Sequence, residues 1–103
     1  MNIDFNEENN SLKIYLSKDI DSNVCKNMKN ILDGYIIKYQ PRNIYLDLHD
    51  VNFMDSSGIG LLMGRYKFAK MINSNLYILN PNPKIKKIME VSNMKEIIEI
   101  VEE

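Results

Sequence analysis

The sequence predicts an α/β domain: a mixed β-sheet, made of an N-terminal hairpin plus a parallel crossover, with helices packed on it. Three observations lead there. Short runs alternate apolar and polar residues at period two, the stretches between them carry apolar residues at helical spacing, and the two periods take turns along the chain. No linker, repeat or low-complexity segment interrupts the pattern, so residues 1–103 read as one domain with its own core.

Each element has its own signature. Ile3 and Phe5 alternate with polar residues, "EENN" supplies turn chemistry, and Leu12, Ile14 and Leu16 resume the alternation, which predicts an antiparallel hairpin. From Ser22 the spacing changes to Val24, Met28, Ile31, Leu32, Tyr35 and Tyr39, one helical face that stops before Pro41 and predicts a helix over 22–38. Ile44, Leu46 and Leu48 restore period two in "NIYLDL", an interior strand. Asp55-Ser56-Ser57-Gly58 follows, then Ile59, Leu62, Met63, Tyr66 and Ala69 at helical spacing, then "LYIL" at 76–79 as another strand. Asn82 caps and Pro83 opens a short helix with Ile85, Ile88 and Met89 inward, and "EIIEIV" over 96–101 closes the chain as a last strand. In a right-handed parallel crossover the loop after the first strand lies at its carboxyl end, where open α/β sheets present functional groups. The DSSG loop holds that place.

Composition excludes several functions. With 45% hydrophobic and 26% charged residues the chain is neither depleted of apolar residues nor built around a long apolar run, so a soluble protein without a membrane segment is expected. "MNIDFNEENN" turns polar too early for a secretory leader, so a cytoplasmic protein is expected. A net charge of −1 with scattered basic residues is no footprint for nucleic acid, and Lys84, Lys86 and Lys87 read as a solvated helix face. Cys25, the single cysteine, leaves no internal disulfide and no thiolate zinc site, and reads as a buried small hydrophobe. No metal or cofactor is called for. Asn, Ile and Lys supply 40 of the residues, a bias that bears on no activity.

Two adjacent serines after a strand admit three readings: a helix cap, a nucleophile or a phosphate acceptor. As a cap, Ser56 or Ser57 would accept from a first-turn amide and contribute about 1 kcal/mol. As a nucleophile, either would need a G-x-S-x-G elbow with a base and an acid; neither serine fits, and His49, the only histidine, sits at the end of the preceding strand. Gly58, Gly60 and Gly64 give G-x-G-x-x-x-G, one residue too long for a dinucleotide fingerprint and followed by no second half. Asp47, Asp50 and Asp55 do not make a phosphoaspartate receiver, because "EIVEE" supplies no lysine after the last strand. Each glycine in a helix costs about 1 kcal/mol relative to alanine, so close approach by another backbone, from the sheet or from a docking protein, is expected to repay the three. Leu61, Arg65, Phe68 and Ile72 form a stripe beside the core face that is expected to be partly exposed, with Arg65 an exposed charge.

Taken in order, these segments resemble the STAS domain, and within it the anti-sigma factor antagonists. The likeness runs from the hairpin through "DID" before helix one, "NIYLDLHDVNFMDSSGIGLLMGRYKFAK", and "PKIKKIMEVSNMKEII"; "FMDSSGIGLLMGRYK" is especially similar to the sporulation antagonists that act on the anti-sigma F factor. Lys18 stands where the family often has glycine, and Asn93 stands where glycine usually ends the third helix; asparagine is the next-best left-handed cap. The resemblance implies a non-enzymatic regulator. Its unphosphorylated form would bind an anti-sigma factor that is itself a serine kinase, bringing ATP and magnesium, and so release a sigma factor. Ser56 would accept the phosphate and a partner phosphatase would remove it. Asp21, Asp55, Ser56, Ser57, Gly58, Ile59, Leu61, Arg65 and Phe68 would form the partner surface. Alternatives within reach are a STAS module of a general-stress pathway and a phosphocarrier; a serine phosphoester is a poor phosphoryl donor.

Overall fold

A computed structural model describes residues 1–103. Strands β1 (Asn2–Asn6) and β2 (Ser11–Tyr15) pair antiparallel as the expected hairpin, and β3 (Asn43–Asp47), β4 (Asn75–Leu79) and β5 (Ile100–Val101) continue the sheet in parallel, in the order β1-β2-β3-β4-β5. The connections are helices α1 (Cys25–Tyr39), α2 (Ser56–Met71) and α3 (Pro83–Val91). Because every crossover steps the same way across the sheet, right-handed connection puts the helices on one face. The inward residues of the strands, Leu12, Ile14, Ile44, Leu46, Leu76 and Ile78, are buried there together with Met28, Leu32 and Ile36 of α1 and Leu62 and Ala69 of α2. The opposite face keeps the half-buried pair Tyr45 and Tyr77, stacked at 5.1 Å, and the Lys13–Glu103 ion pair at 3.1 Å.

Two boundaries differ from the expectation. Helix α1 starts at Cys25, not at 22, because Asp21 bends the chain: its Oδ1 accepts from the Asn23 amide at 2.9 Å, and its carbonyl accepts from Val24 and Cys25 at 3.2 Å each. The last strand shrinks from 96–101 to Ile100–Val101, since Met94–Glu96 form a 3-10 turn whose Met94 carbonyl accepts from both Ile97 and Ile98. That leaves Ile98 buried in the core and Ile97 exposed, so an apolar run that looks like one strand is half a plug and half a strand.

The asparagine content proves partly structural. Asn10, Asn73, Asn80 and Asn93 all take positive φ, between 53° and 61°, at the points where the chain leaves a turn, helix or strand. Asn93 does so at φ 61° just past α3, as its family position suggests. Asn82 caps α3 as expected, its Oδ1 accepting from the Ile85 amide at 3.1 Å, while its side-chain amide donates to the carbonyls of His49 and Val51. One residue therefore starts α3 and holds the loop that leads to DSSG.

Candidate functional site

Two loops are lashed together at the carboxyl end of the sheet. Beyond β2, Ile20 makes an isolated parallel bridge to Met54: its amide donates to the Phe53 carbonyl at 2.9 Å and its carbonyl accepts from the Asp55 amide at 3.3 Å. The bridge brings the Asp21 turn beside Asp55. Gly58 makes this fit possible. A Cβ there would meet the Ile20 carbonyl oxygen at 2.6 Å, its Cγ2 at 2.9 Å and the Met54 side chain closer still, so only glycine lets the start of α2 lie against the bridge.

The cap of α2 is Asp55 and neither serine. Its Oδ1 accepts from the amides of Ser57 at 2.9 Å and Gly58 at 3.2 Å, which corrects the expectation of a serine cap. The two hydroxyls are thereby freed from capping. Ser56 is exposed on the first turn and Ser57 is half-buried beside it. Asp21 and Asp55, both half-buried, face Cys25 at the first turn of α1. Cys25 itself is only partly buried, which corrects its assignment to the core. Desolvation first, and then the carboxylates of Asp55 and Asp21, push its thiol above the ordinary value and keep it neutral. Phe53, half exposed at 50%, flanks the same loop. Nothing in its sequence setting marked it, because the loop has no periodicity to reveal which side faces out.

Along α2 the expected partner surface divides. Ile59 and Phe68 are half-buried, Ile72 is exposed, and Leu61 is buried at 6% exposure. Arg65, expected to be an exposed charge, is buried at 7% between α1 and α2, where its Nε lies 2.7 Å from Asp33 Oδ1. Asp33 is shared, its other oxygen lying 3.3 Å from Lys29 Nζ. The Arg65 contact is an ion pair of poor hydrogen-bond direction: Nε and Oδ1 are both buried and neither is satisfied. Lys29 and Asp33 stand at i,i+4, a spacing that brings them together on one helix, whereas the Arg65 contact crosses between helices separated by a strand. The glycines divide too. Gly60 and Gly64 have nothing within 4 Å of an added Cβ, so the sheet supplies no close approach to either. They open on a groove shared with Cys25, Lys26 and Lys29 of α1.

Chemically the arrangement offers an exposed hydroxyl, two neighbouring carboxylates and a groove between helices. His49, paired through Nδ1 with Asp50 at 3.1 Å, is exposed in the turn after β3. No three His, Cys, Asp or Glu side chains gather as metal ligands, and no helix is long and apolar enough to cross a membrane.

The STAS domain family matches residues 2–103 of the chain. The anti-sigma F factor antagonist of Paenibacillus polymyxa is 27% identical over 100 residues, which span 97% of this chain and 86% of that one. The anti-sigma-B factor antagonist of Listeria monocytogenes is also 27% identical, over 89 residues spanning 86% and 77%. Among solved structures, the anti-sigma factor antagonist SpoIIAA in its unphosphorylated form superposes with a TM-score of 0.80 at 20% identity, covering 99% of this chain and 86% of that one. The Bacillus cell fate determinant SpoIIAA in its phosphorylated form superposes at 0.71 and 20% identity, covering 99% and 89%. At that identity the structural likeness is one of fold.

Proposed function

The chain belongs to the STAS domain family, and from that premise we propose that it is an anti-sigma factor antagonist whose hold on its partner is switched off by a phosphate on Ser56. Unphosphorylated, it binds an anti-sigma factor through the Asp21 turn, the DSSG loop and α2, and so frees a sigma factor in the cytoplasm. The partner is a serine kinase that brings ATP and magnesium, a phosphatase reverses the modification, and this chain performs no catalysis. The observation that carries the reading is the division of labour at the start of α2. Asp55 caps the helix, so the neighbouring hydroxyl of Ser56 is exposed and serves no packing purpose.

The charge argument follows. A phosphate adds about −1.5 to −2 charge. It would stand at the favourable end of the α2 dipole but next to Asp55 and the Asp21 turn, with the amides of Ser57 and Gly58 already engaged by Asp55. The fold, held by the buried core, tolerates it; a docked protein that must desolvate the same spot does not. Losing about 3 to 4 kcal/mol at an interface lowers affinity several hundredfold, enough to end the complex.

Relatives named for sigma F and for sigma B antagonism match at the same 27% identity, so a general-stress pathway is the second reading of the same switch. Incubation with the cognate anti-sigma factor, ATP and magnesium, read by intact mass and by complex formation, tests the proposal. Wild type should gain one phosphate and leave the complex; Ser56→Ala should gain none and stay bound; Ser56→Asp should bind weakly yet melt near wild type. Phosphate found on Ser57 would overturn the assignment, and a phosphoprotein that passes its phosphoryl group onward would make the chain a phosphocarrier.

A further inference from the structure

The groove between α1 and α2 has an electrostatic character that the phosphorylation switch does not account for. Lys26, Lys29 and Arg65 line it, and no carboxylate does. Asp33 lies behind, half-buried and shared by Lys29 and Arg65, while Asp21 and Asp55 act on Cys25 at the end where the helices begin, so the basic side chains dominate the lining at the Lys29 and Arg65 end. Arg65 is more than nine-tenths buried and lines this groove; its Nε is spent on Asp33 at 2.7 Å, its only acidic partner, and its two terminal nitrogens make no hydrogen bond. A guanidinium carries five N–H donors in a planar fork that matches a carboxylate, and a buried donor left unpaired is costly. The donors of the fork that Asp33 does not engage suit a second carboxylate. The groove also has room for one, since Gly60 and Gly64 leave bare backbone where any other residue would project a side chain.

We propose that this groove receives an acidic segment of the anti-sigma factor, an Asp or Glu side chain of which reaches the Arg65 guanidinium between Lys26 and Lys29. The inference rests on the antagonist reading and adds to it the chemistry of the bound segment. Arg65 lies about 13 Å along the helix from Ser56, nine residues at about 1.5 Å each, so the two contacts are separate parts of one interface. The serine end decides whether the partner stays, and the cationic groove decides which partner fits, because a basic segment would set like charges together and an apolar one would leave the donors that Asp33 does not engage without an acceptor.

The test uses Gly60, where an added side chain meets nothing. Glutamate and lysine are both better helix formers than glycine, so each variant should fold, and they differ in the sign of charge they place in the groove. Titrating the full-length chain with the cognate anti-sigma factor, Gly60→Glu should weaken binding about hundredfold and Gly60→Lys by no more than a few-fold. Wild-type affinity should also fall as salt rises. Equal losses for both variants would mean that the groove is covered by something other than an acidic segment, and no loss for either would mean that it is not covered; each result overturns the inference. Inorganic phosphate that binds the free wild type and not Gly60→Glu, with partner affinity unchanged in the variant, would overturn it in favour of a small-anion site. Ser56→Asp measured in parallel separates the two claims. If it releases the partner while Gly60→Glu does not, the antagonist reading stands and the groove inference fails; if wild type does not bind the anti-sigma factor at all, both fail.

Discussion

Helices α2 and α3 solve the same geometric problem, each returning the chain from the carboxyl end of one parallel strand to the start of the next, and they are built very differently. Helix α3 follows the ordinary rules: an asparagine cap, proline in the first turn, Ile85 and Met89 inward, Lys84 and Lys87 in water. Helix α2 breaks several of them. It carries three glycines, buries an arginine and leaves an exposed serine in its first turn, while packing against both the sheet and α1. Since α3 shows that a crossover on this sheet needs none of these features, their cost in α2 is not imposed by the crossover. Gly58 is explained by the Ile20 bridge; of the remainder, Gly60, Gly64 and Arg65 line the groove beside α1, and Ser56 stands exposed on the first turn.

Substitutions can break or sharpen that contrast. The largest effect is expected at the core face of α2: Leu62→Ala opens a cavity under a fully buried side chain and should cost about 2 to 5 kcal/mol in urea unfolding. Arg65→Ala comes next. Its burial and its pairing with Asp33 predict a loss of about 1 to 3 kcal/mol, unlike the near-neutral change expected of an exposed charge. A change below about 0.5 kcal/mol would show that the pair is as weak as one at the surface.

The glycines should then differ in sign. Gly58→Ala forces the Ile20 carbonyl away and should lower stability by about 1 to 3 kcal/mol, whereas Gly60→Ala meets nothing and should raise it by about 0.5 to 1 kcal/mol. For a chain of this size that gain is a rise of roughly 2 to 8 °C in melting temperature. If Gly60→Ala also lowered stability, the argument that α2 sacrifices stability for a docking groove would collapse.

The smallest effect is electrostatic. Because burial and the two aspartates hold the Cys25 thiol up, less thiolate exists at a given pH and alkylation should lag behind that of an unperturbed cysteine until the pH passes the ordinary thiol range. Asp55→Asn should speed the reaction at fixed pH by removing one of the two charges, and phosphorylation of Ser56 should slow it. A rate blind to both changes would mean that neither carboxylate acts on the thiol.

What the sequence determined by itself was local. Period two and period 3.6 follow from the backbone of each segment, so the hairpin, β3, β4, the three helices and the Asn82 cap were legible without the tertiary structure. The position of the DSSG loop was legible for the same reason, since a loop after a parallel strand lies at its carboxyl end. Tertiary structure decided what depends on two segments at once. Whether Arg65 faces water or Asp33 and which of three glycines is sterically required are settled by Asp33 and Ile20, both far from α2 along the chain. The run over 96–101 belongs with them. Apolar composition says that it must be buried, but only the 3-10 turn ahead of it says how little of it can pair with β4, because backbone donors used in the turn are no longer free for the sheet.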